Sequence, residues 1–457
     1  MKKLSASSIL LFLILVAWVW TATNIHRWTK QVVIDHDIVH YYSYLPATFI
    51  YKDLSFQFIN DLPEDFEGRI WYKLTEDGKP VQKMTMGMAY LYAPFFGLGH
   101  FHATVSDAYR ADGYSMPYAM YLTFSSIFYA FLGLILLRRI LLLFYNDKIA
   151  TWVIAIVALG TNFFYYVTNE GVMSHAYSFF LFALFFYAFT RYHQLPRFYW
   201  AIIMGVSFGL ISLVRPSNAI IILLPVLYGI TSWRDLREKF YQYSRNYSHL
   251  LMFALLVFLI WLPQLLYWKT ITGQWLYNSY GEEGFVFSDP QIWKGLFSYR
   301  KGWLLYTPLM ALAVAGIPVI YKKQREHFWG ISVYFIVNIY IVFSWWCWWY
   351  GGSYGARPLI ESYAILALPL GAFIFWLYQQ KKWVKRLSFS LIAVLILLSL
   401  FQTWQYRRNI IHFDSMTREA YWEAFGKIKK PKERDKTLDH PDYETFLHQR
   451  MGSDKPE

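Results

Sequence analysis

The sequence predicts an all-α protein that crosses a membrane many times, and three observations carry that expectation. Of its 457 residues 56% are hydrophobic and only 16% charged, whereas a soluble domain is about 25% charged. Apolar runs long enough to span lipid recur along the chain. Lys and Arg gather in short blocks in every second connection between those runs, the asymmetry that marks cytoplasmic loops.

The first run, Ile9 to Trp20, follows Lys2 and Lys3. Trp18-Val19-Trp20-Thr21 is a poor cleavage site, so the run is read as an uncleaved first span. Further runs at 117–137, 149–167, 173–190, 198–214, 216–231, 250–268, 303–320, 328–345, 358–378 and 387–404 bring the expected total to about eleven. Under this assignment Lys2/Lys3, Arg138/Arg139/Lys148, Arg191/Arg197, Arg234/Arg237/Lys239/Arg245, Lys322/Lys323/Arg325 and Lys381/Lys382/Lys385/Arg386 share the cytoplasmic side. The outer side receives a long first loop (24–116), the Asn169-Glu170-Gly171 turn, the Arg215-Pro216 corner, the 269–302 loop and the turn from Trp349 to Pro358. Met84 to His102 is apolar enough to be a span, but counting it would invert every later loop, so it is expected to lie as a helix in the outer interface.

Residues 1–404 therefore form one membrane unit, and 405–457 a polar tail on the outer side. Tyr421, Trp422 and Phe425 are placed to pack that tail down, while Arg407 and Arg408 pull weakly toward the cytoplasm. The aromatic cluster from Trp345 to Tyr350 reads as a lipid-boundary anchor.

The net charge of +13 is dispersed among loops, which argues against nucleic acid as a partner. Cys347 is the only cysteine, so no intrachain disulfide forms. Walker and dinucleotide glycine motifs are absent, as is a Gly-x-Ser-x-Gly elbow. ATP-driven, redox and serine-hydrolase chemistry therefore have no sequence support.

The informative stretch opens the first outer loop: Asp35-His36-Asp37-Ile38-Val39-His40-Tyr41-Tyr42-Ser43-Tyr44-Leu45-Pro46. An acid just after the first span, followed by an aromatic-rich helix, resembles the membrane-embedded glycosyltransferases of the GT-C type. The nearest likeness is to the protein O-mannosyltransferase and lipid A aminoarabinose transferase relatives of glycosyltransferase family 39. Where those enzymes commonly carry an Asp-Glu pair, Asp37 is followed here by Ile38, and Asp35 is its nearest acidic neighbour. Lys83 precedes the Met84–His102 helix as a basic residue does in the relatives, without their double proline. The Gly351-Gly352-Ser353-Tyr354-Gly355-Ala356-Arg357-Pro358 turn is the third point of likeness.

The resemblance implies a GT-C-like fold, and the general look of the sequence favours a bacterial inner membrane and cell envelope. It implies a donor sugar on polyprenyl phosphate, an acceptor hydroxyl on a glycan, lipid or protein, and inversion at the anomeric carbon. Such transfer needs a base, for which Asp37 is first choice and Asp35 second. The leaving phosphate needs fixed cations. Lys83, Arg357, Arg300, Lys301 and Arg215 are the candidates, with Arg favoured for bidentate contact. Glu170, His175, Tyr41 and Tyr354 are the remaining candidates for contact with sugar or phosphate.

Each residue has a plainer reading. Asp37 serves equally as a solvated loop residue, Arg300 and Lys301 as interfacial snorkellers, and Glu170 with His175 as a helix-capping turn. Arg215 between two short apolar runs calls for an anionic partner. Asp35-His36-Asp37 alternate in direction on an extended chain, a poor metal cage. The sequence calls for no cofactor and leaves a divalent metal open. The alternative function is a polytopic transporter or flippase for a lipid-linked or small polar substrate, which repeated halves or midplane ionisable groups would favour.

Overall fold

The computed structural model describes residues 4–30, 32–62 and 70–452, so the basic pair Lys2/Lys3 lies outside the described residues. The described residues are mostly helical, and their strands are one two-residue antiparallel pair.

Helix α1 (Ala6–Ile25) starts where the Ser5 side chain accepts from the Ser8 amide and ends at His26 in the left-handed region. The first loop contains the short helices α2 (Asp37–Tyr42) and α3 (Tyr44–Phe49), strands β1 (Lys73–Leu74) and β2 (Pro80–Val81), and helix α4 (Gly87–Thr104). Then come α5 (Met116–Phe144), α6 (Asp147–Leu159), α7 (Phe163–Thr168), α8 (Ser174–Gln194) and α9 (Phe198–Val214). They are followed by α10 (Leu223–Leu227), α11 (Trp233–Arg245), α12 (Tyr247–Thr272), α13 (Ile292–Phe297) and α14 (Trp303–Tyr306). The chain closes with α15 (Met310–Lys323), α16 (Arg325–Ser344), α17 (Tyr363–Tyr378), α18 (Lys382–Arg407), α19 (Arg418–Ala424) and α20 (Tyr443–Met451).

Among the described residues five helices are long and apolar enough to cross a membrane: Ala6–Lys30, Met116–Phe144, Tyr247–Thr272, Arg325–Ser344 and Lys382–Arg407. The other apolar runs are short or interrupted. The 149–167 run breaks at Gly160-Thr161-Asn162. The 216–231 run coils as a 3-10 turn from Pro216 before the five residues of α10. Thr307-Pro308 interrupts 303–320, because proline lacks the N–H that would continue the ladder.

Helix α17 is buried from Tyr363 to Leu370, so its apolar all-round sequence reflects a central position. α15 packs closely on it. A Cβ on Gly316 would stand 1.9 Å from the Pro369 carbonyl oxygen, and that contact requires glycine. At the periphery, α12 exposes Leu251, Leu255, Phe258 and Leu259, and α18 exposes Leu387, Leu391, Val394 and Leu397. These apolar outer faces are what a helix in lipid presents.

The connections sort into two ends. At one, Arg138 donates to Ser5 and Ser7, Tyr145 reaches Gln324, His193 meets Tyr243, and the Gly229 amide donates to Glu326. The basic blocks expected on one side thus share neighbours. At the other end the 291–302 segment, the 349–357 turn and the tail touch one another. Arg300 donates to the Asp414 and Asp439 carbonyls, and the Ser353 amide to that of Phe413. The tail therefore lies on the same side as those two loops, despite Arg407 and Arg408.

One expectation is corrected. The tryptophan cluster is no exposed boundary anchor: Trp346, Trp348 and Trp349 are buried, with Phe446, Leu447 and Met451 of α20 packed against them. Their rings are taken from lipid by the tail, which the spacing of a single apolar cluster cannot reveal. Of the three tail aromatics, Tyr421 is buried against Tyr299 and Tyr306, whereas Trp422 is mostly exposed.

Gly316→Ala forces α15 and α17 apart. Overpacking of this kind costs roughly 1–3 kcal/mol, and a lowered thermal midpoint of the detergent-solubilised protein measures it. An unchanged midpoint means the two helices do not pack at this glycine.

Candidate functional site

Asp37 is the first residue of α2, placed there by His36, whose left-handed backbone (φ 48°) turns the chain into the helix. The Asp37 carboxylate stands 3.6 Å from the Arg357 guanidinium and keeps about a third of its surface open. Arg357 is carried by the glycine turn, where Gly351 and Gly355 take positive φ of 65° and 63°, a conformation glycine adopts without penalty. Two polar contacts anchor that turn at Tyr354: its amide donates to the Tyr166 hydroxyl at 2.9 Å, and Asn162 Nδ2 donates to its carbonyl at 3.0 Å. Asn162 occupies the break between α6 and α7, so the interruption supplies a donor to the site wall.

Four residues after Arg357 comes Glu361, fully buried. Its Oε1 lies 3.5 Å from the Arg215 guanidinium and 3.2 Å from His175 Nδ1. Glu361 is the anionic partner that Arg215 required. The capping reading of Glu170 and His175 fails. Met173 is the N-cap of α8, with no side-chain cap bond; His175 turns to Glu361, and Glu170 accepts from the Tyr165 hydroxyl at 2.9 Å.

Tyr41, one turn along α2 from Asp37, is buried within electrostatic reach of Arg215, Asp37 and Arg357, and burial raises its phenol above the usual range. Tyr280 stands in the same field, close to Tyr41, Arg215, Asp37 and Glu283. Both ion pairs around the arginines are longer than the roughly 2.7–2.9 Å of a tight charge-assisted bond. Arg357 Nε and His175 Nε2 are buried with no hydrogen-bond partner among the described residues. A partly open carboxylate beside two incompletely paired guanidiniums can accept a proton and face an anion in one place.

The other sequence candidates are committed elsewhere. Asp35 is half-buried and accepts from the His36 amide at 2.8 Å, and its ion-pair partner is His36 rather than Arg357. Lys83 pairs with Glu283 at 2.5 Å and lies over the Tyr280 ring at 5.3 Å. Glu283 also meets Lys73 at 3.7 Å and accepts from the Trp346 indole at 3.3 Å. Arg300 pairs with Asp439 in the tail and lies 5.2 Å from the Trp349 ring. Lys301 is buried and donates to the Ser353 and Phe413 carbonyls. Arg300 and Lys301 are therefore neither free phosphate ligands nor snorkellers; they fasten the tail to the glycine turn.

Burial lowers the Lys301 ammonium to about 7, with Asp414 raising it and Arg357 and Arg300 pushing it down. A neutral amine still carries two N–H groups for the two carbonyls.

Glu361, Glu283, Tyr280, Tyr166 and Asn162 escape the sequence reading. A signal did exist for Glu361, a carboxylate inside an apolar run being costly without a role. For Glu283, paired across some 200 residues of sequence with Lys83, there was none. Among the described residues no group of His, Cys, Asp and Glu is arranged to hold a metal ion. What fold and site define together is a helical protein with membrane-crossing helices and a cluster of charged side chains at one end. No protein-family model matches the chain, and no curated protein matches it either.

Glu361→Ala leaves Arg215 and His175 buried without their carboxylate, a loss of roughly 3–5 kcal/mol, and Glu361→Gln, which can still hydrogen bond, loses less. Thermal unfolding of the two variants in detergent checks the order, and equal midpoints would remove the ion pair from the account. Lys301 gives a pH dependence of known sign. Between pH 7 and 10 the unfolded chain holds the Lys301 proton and the folded chain does not, so this residue's contribution to stability rises with pH. The difference in midpoint between wild type and Lys301→Met therefore grows in favour of wild type from pH 7 to pH 9; a flat difference speaks for an ordinary ammonium.

Proposed function

We propose that this chain is a polytopic glycosyltransferase of GT-C-like architecture, with about eleven membrane passes, in a bacterial inner membrane. Its site faces the outer side and takes a sugar from a polyprenyl-phosphate donor to a hydroxyl acceptor. The observation that carries this reading is the juxtaposition of Asp37 with Arg357 at 3.6 Å, beside Arg215 held by Glu361.

In this scheme the acceptor hydroxyl gives its proton to Asp37 as its oxygen attacks the anomeric carbon. The bond from that carbon to the phosphate oxygen breaks, and the electron pair leaves with the polyprenyl phosphate. The growing phosphate charge meets Arg357 and Arg215, preorganised in a site with few competing waters. Attack opposite the leaving group inverts the anomeric configuration. The unpartnered Arg357 Nε supplies a donor for an incoming anion. Lys83, neutralised by Glu283, serves in the wall, and no cofactor is required by these steps.

A transporter or flippase for a lipid-linked substrate is the second reading. The buried His175, Glu361 and Arg215 cluster and the broken helices around Asn162 favour it, because ionisable groups between interrupted helices also mark transport pathways.

One experiment separates the two. The purified protein in nanodiscs is offered a panel of synthetic polyprenyl-phosphate sugars carrying labelled sugar. Wild type consumes one donor, into product or by slow hydrolysis, and Asp37→Asn loses about 100-fold or more of that rate, the scale of a lost general base. Turnover that survives Asp37→Asn in a folded protein removes Asp37 as base. Binding without any turnover moves the assignment to transport.

A further inference from the structure

A cavity lies away from Asp37, between the 294–300 segment, the tryptophan cluster and the tail. It encloses about 610 Å³, within the roughly 300–1,000 Å³ of small-molecule sites. Its walls include Tyr299, Trp348, Trp349 and Phe446, together with the exposed polar side chains of Arg418 and Gln449. We infer that this cavity is a binding site for a neutral oligosaccharide; on the transfer reading above, it holds the acceptor.

The chemistry of the walls selects that class. Lys294, Arg300 and Arg418 line the cavity together with Asp439 and Asp442, so three cations stand with two carboxylates and the site holds little net charge for an anionic ligand. Arg300 is already paired with Asp439. Tyr299 and Phe446, which are only half-buried, offer apolar faces for the C–H surfaces of a sugar ring. Charged side chains around them offer donors and acceptors side by side, which a ring of hydroxyl groups satisfies and a lipid tail does not.

The cavity is also built rather than left over. Its tail wall is fixed by the Asp439 amide donating to the Ser415 carbonyl at 3.0 Å, and by Thr417 Oγ1 donating to the Thr437 carbonyl at 2.7 Å. Tyr443 donates to the Asp414 carboxylate at 2.8 Å. The cavity and the turn that carries Arg357 share a support, because Lys301, the neighbour of the lining residue Arg300, donates to the Ser353 carbonyl.

The test uses the full chain in nanodiscs and three uncharged probes, maltotriose, cellotriose and mannotriose, with binding followed by saturation-transfer NMR. At least one trisaccharide binds. The double variant Arg418→Ala/Gln449→Ala, altered only at exposed positions, binds it about 10-fold more weakly, the effect of two lost hydrogen bonds. Failure of all three probes to bind overturns the inference, as does undiminished binding by the double variant or displacement of the sugar by inorganic phosphate. Donor turnover without trisaccharide binding sinks this site and spares the transfer reading. Trisaccharide binding without donor turnover does the reverse.

Discussion

A single carboxylate buried in apolar surroundings organises the outer end of this protein. Glu361 sits just ahead of the central helix α17 and reaches both Arg215, at the end of α9, and His175, at the start of α8. An uncompensated charge in such a place is untenable, so the helix ends that supply Glu361 and its partners Arg215 and His175 are obliged to meet. Arg357, four residues earlier on the same segment, is thereby held where α2 brings Asp37 to it. The ion pair fixes position first, and the reactive geometry inherits that position.

Around this centre the polar network follows the breaks in the helices. The interruption at Asn162 frees a side chain that donates to the Tyr354 carbonyl and accepts from the Tyr363 hydroxyl at 2.8 Å. Tyr363 in turn accepts from the Trp303 indole at 3.2 Å. Non-helical backbone inside a membrane protein is tolerated where protein groups satisfy it. Here the same groups that satisfy it also stiffen the turn bearing Arg357. The helices that stay unbroken, such as α12 and α18, lie at the edge and expose Leu and Val.

Helical class was legible because it is written in local composition. Apolar runs and basic blocks need no knowledge of neighbours, and the contacts of Arg138 with Ser5 and Ser7 and of Tyr145 with Gln324 agree with the alternation. The helix boundaries were less legible: hydropathy sees 149–167 as one run, whereas Asn162 is recruited to a polar network that only the fold assembles. At the site, Asp37, Arg215 and Arg357 were readable from their unusual settings. Glu283 was not, since an acid in a loop looks alike whether it meets solvent or Lys83. The fate of Arg300, Lys301 and the tryptophans depended on a tail that pattern alone treats as an appendage.

That tail carries a consequence for how the protein is made. Arg434, fully buried, donates to the Asn409 and Ile410 carbonyls, and α20 covers Trp346 and Trp349. Everything these residues cover precedes them in the chain. During synthesis the indoles and the Arg300 side chain stand uncovered until the last fifty or so residues have emerged and reached the same side of the membrane. The nascent protein therefore passes through an interval in which its helices are complete but its aromatic surface is adhesive. Quality control that senses exposed aromatic surface would meet its substrate in that interval.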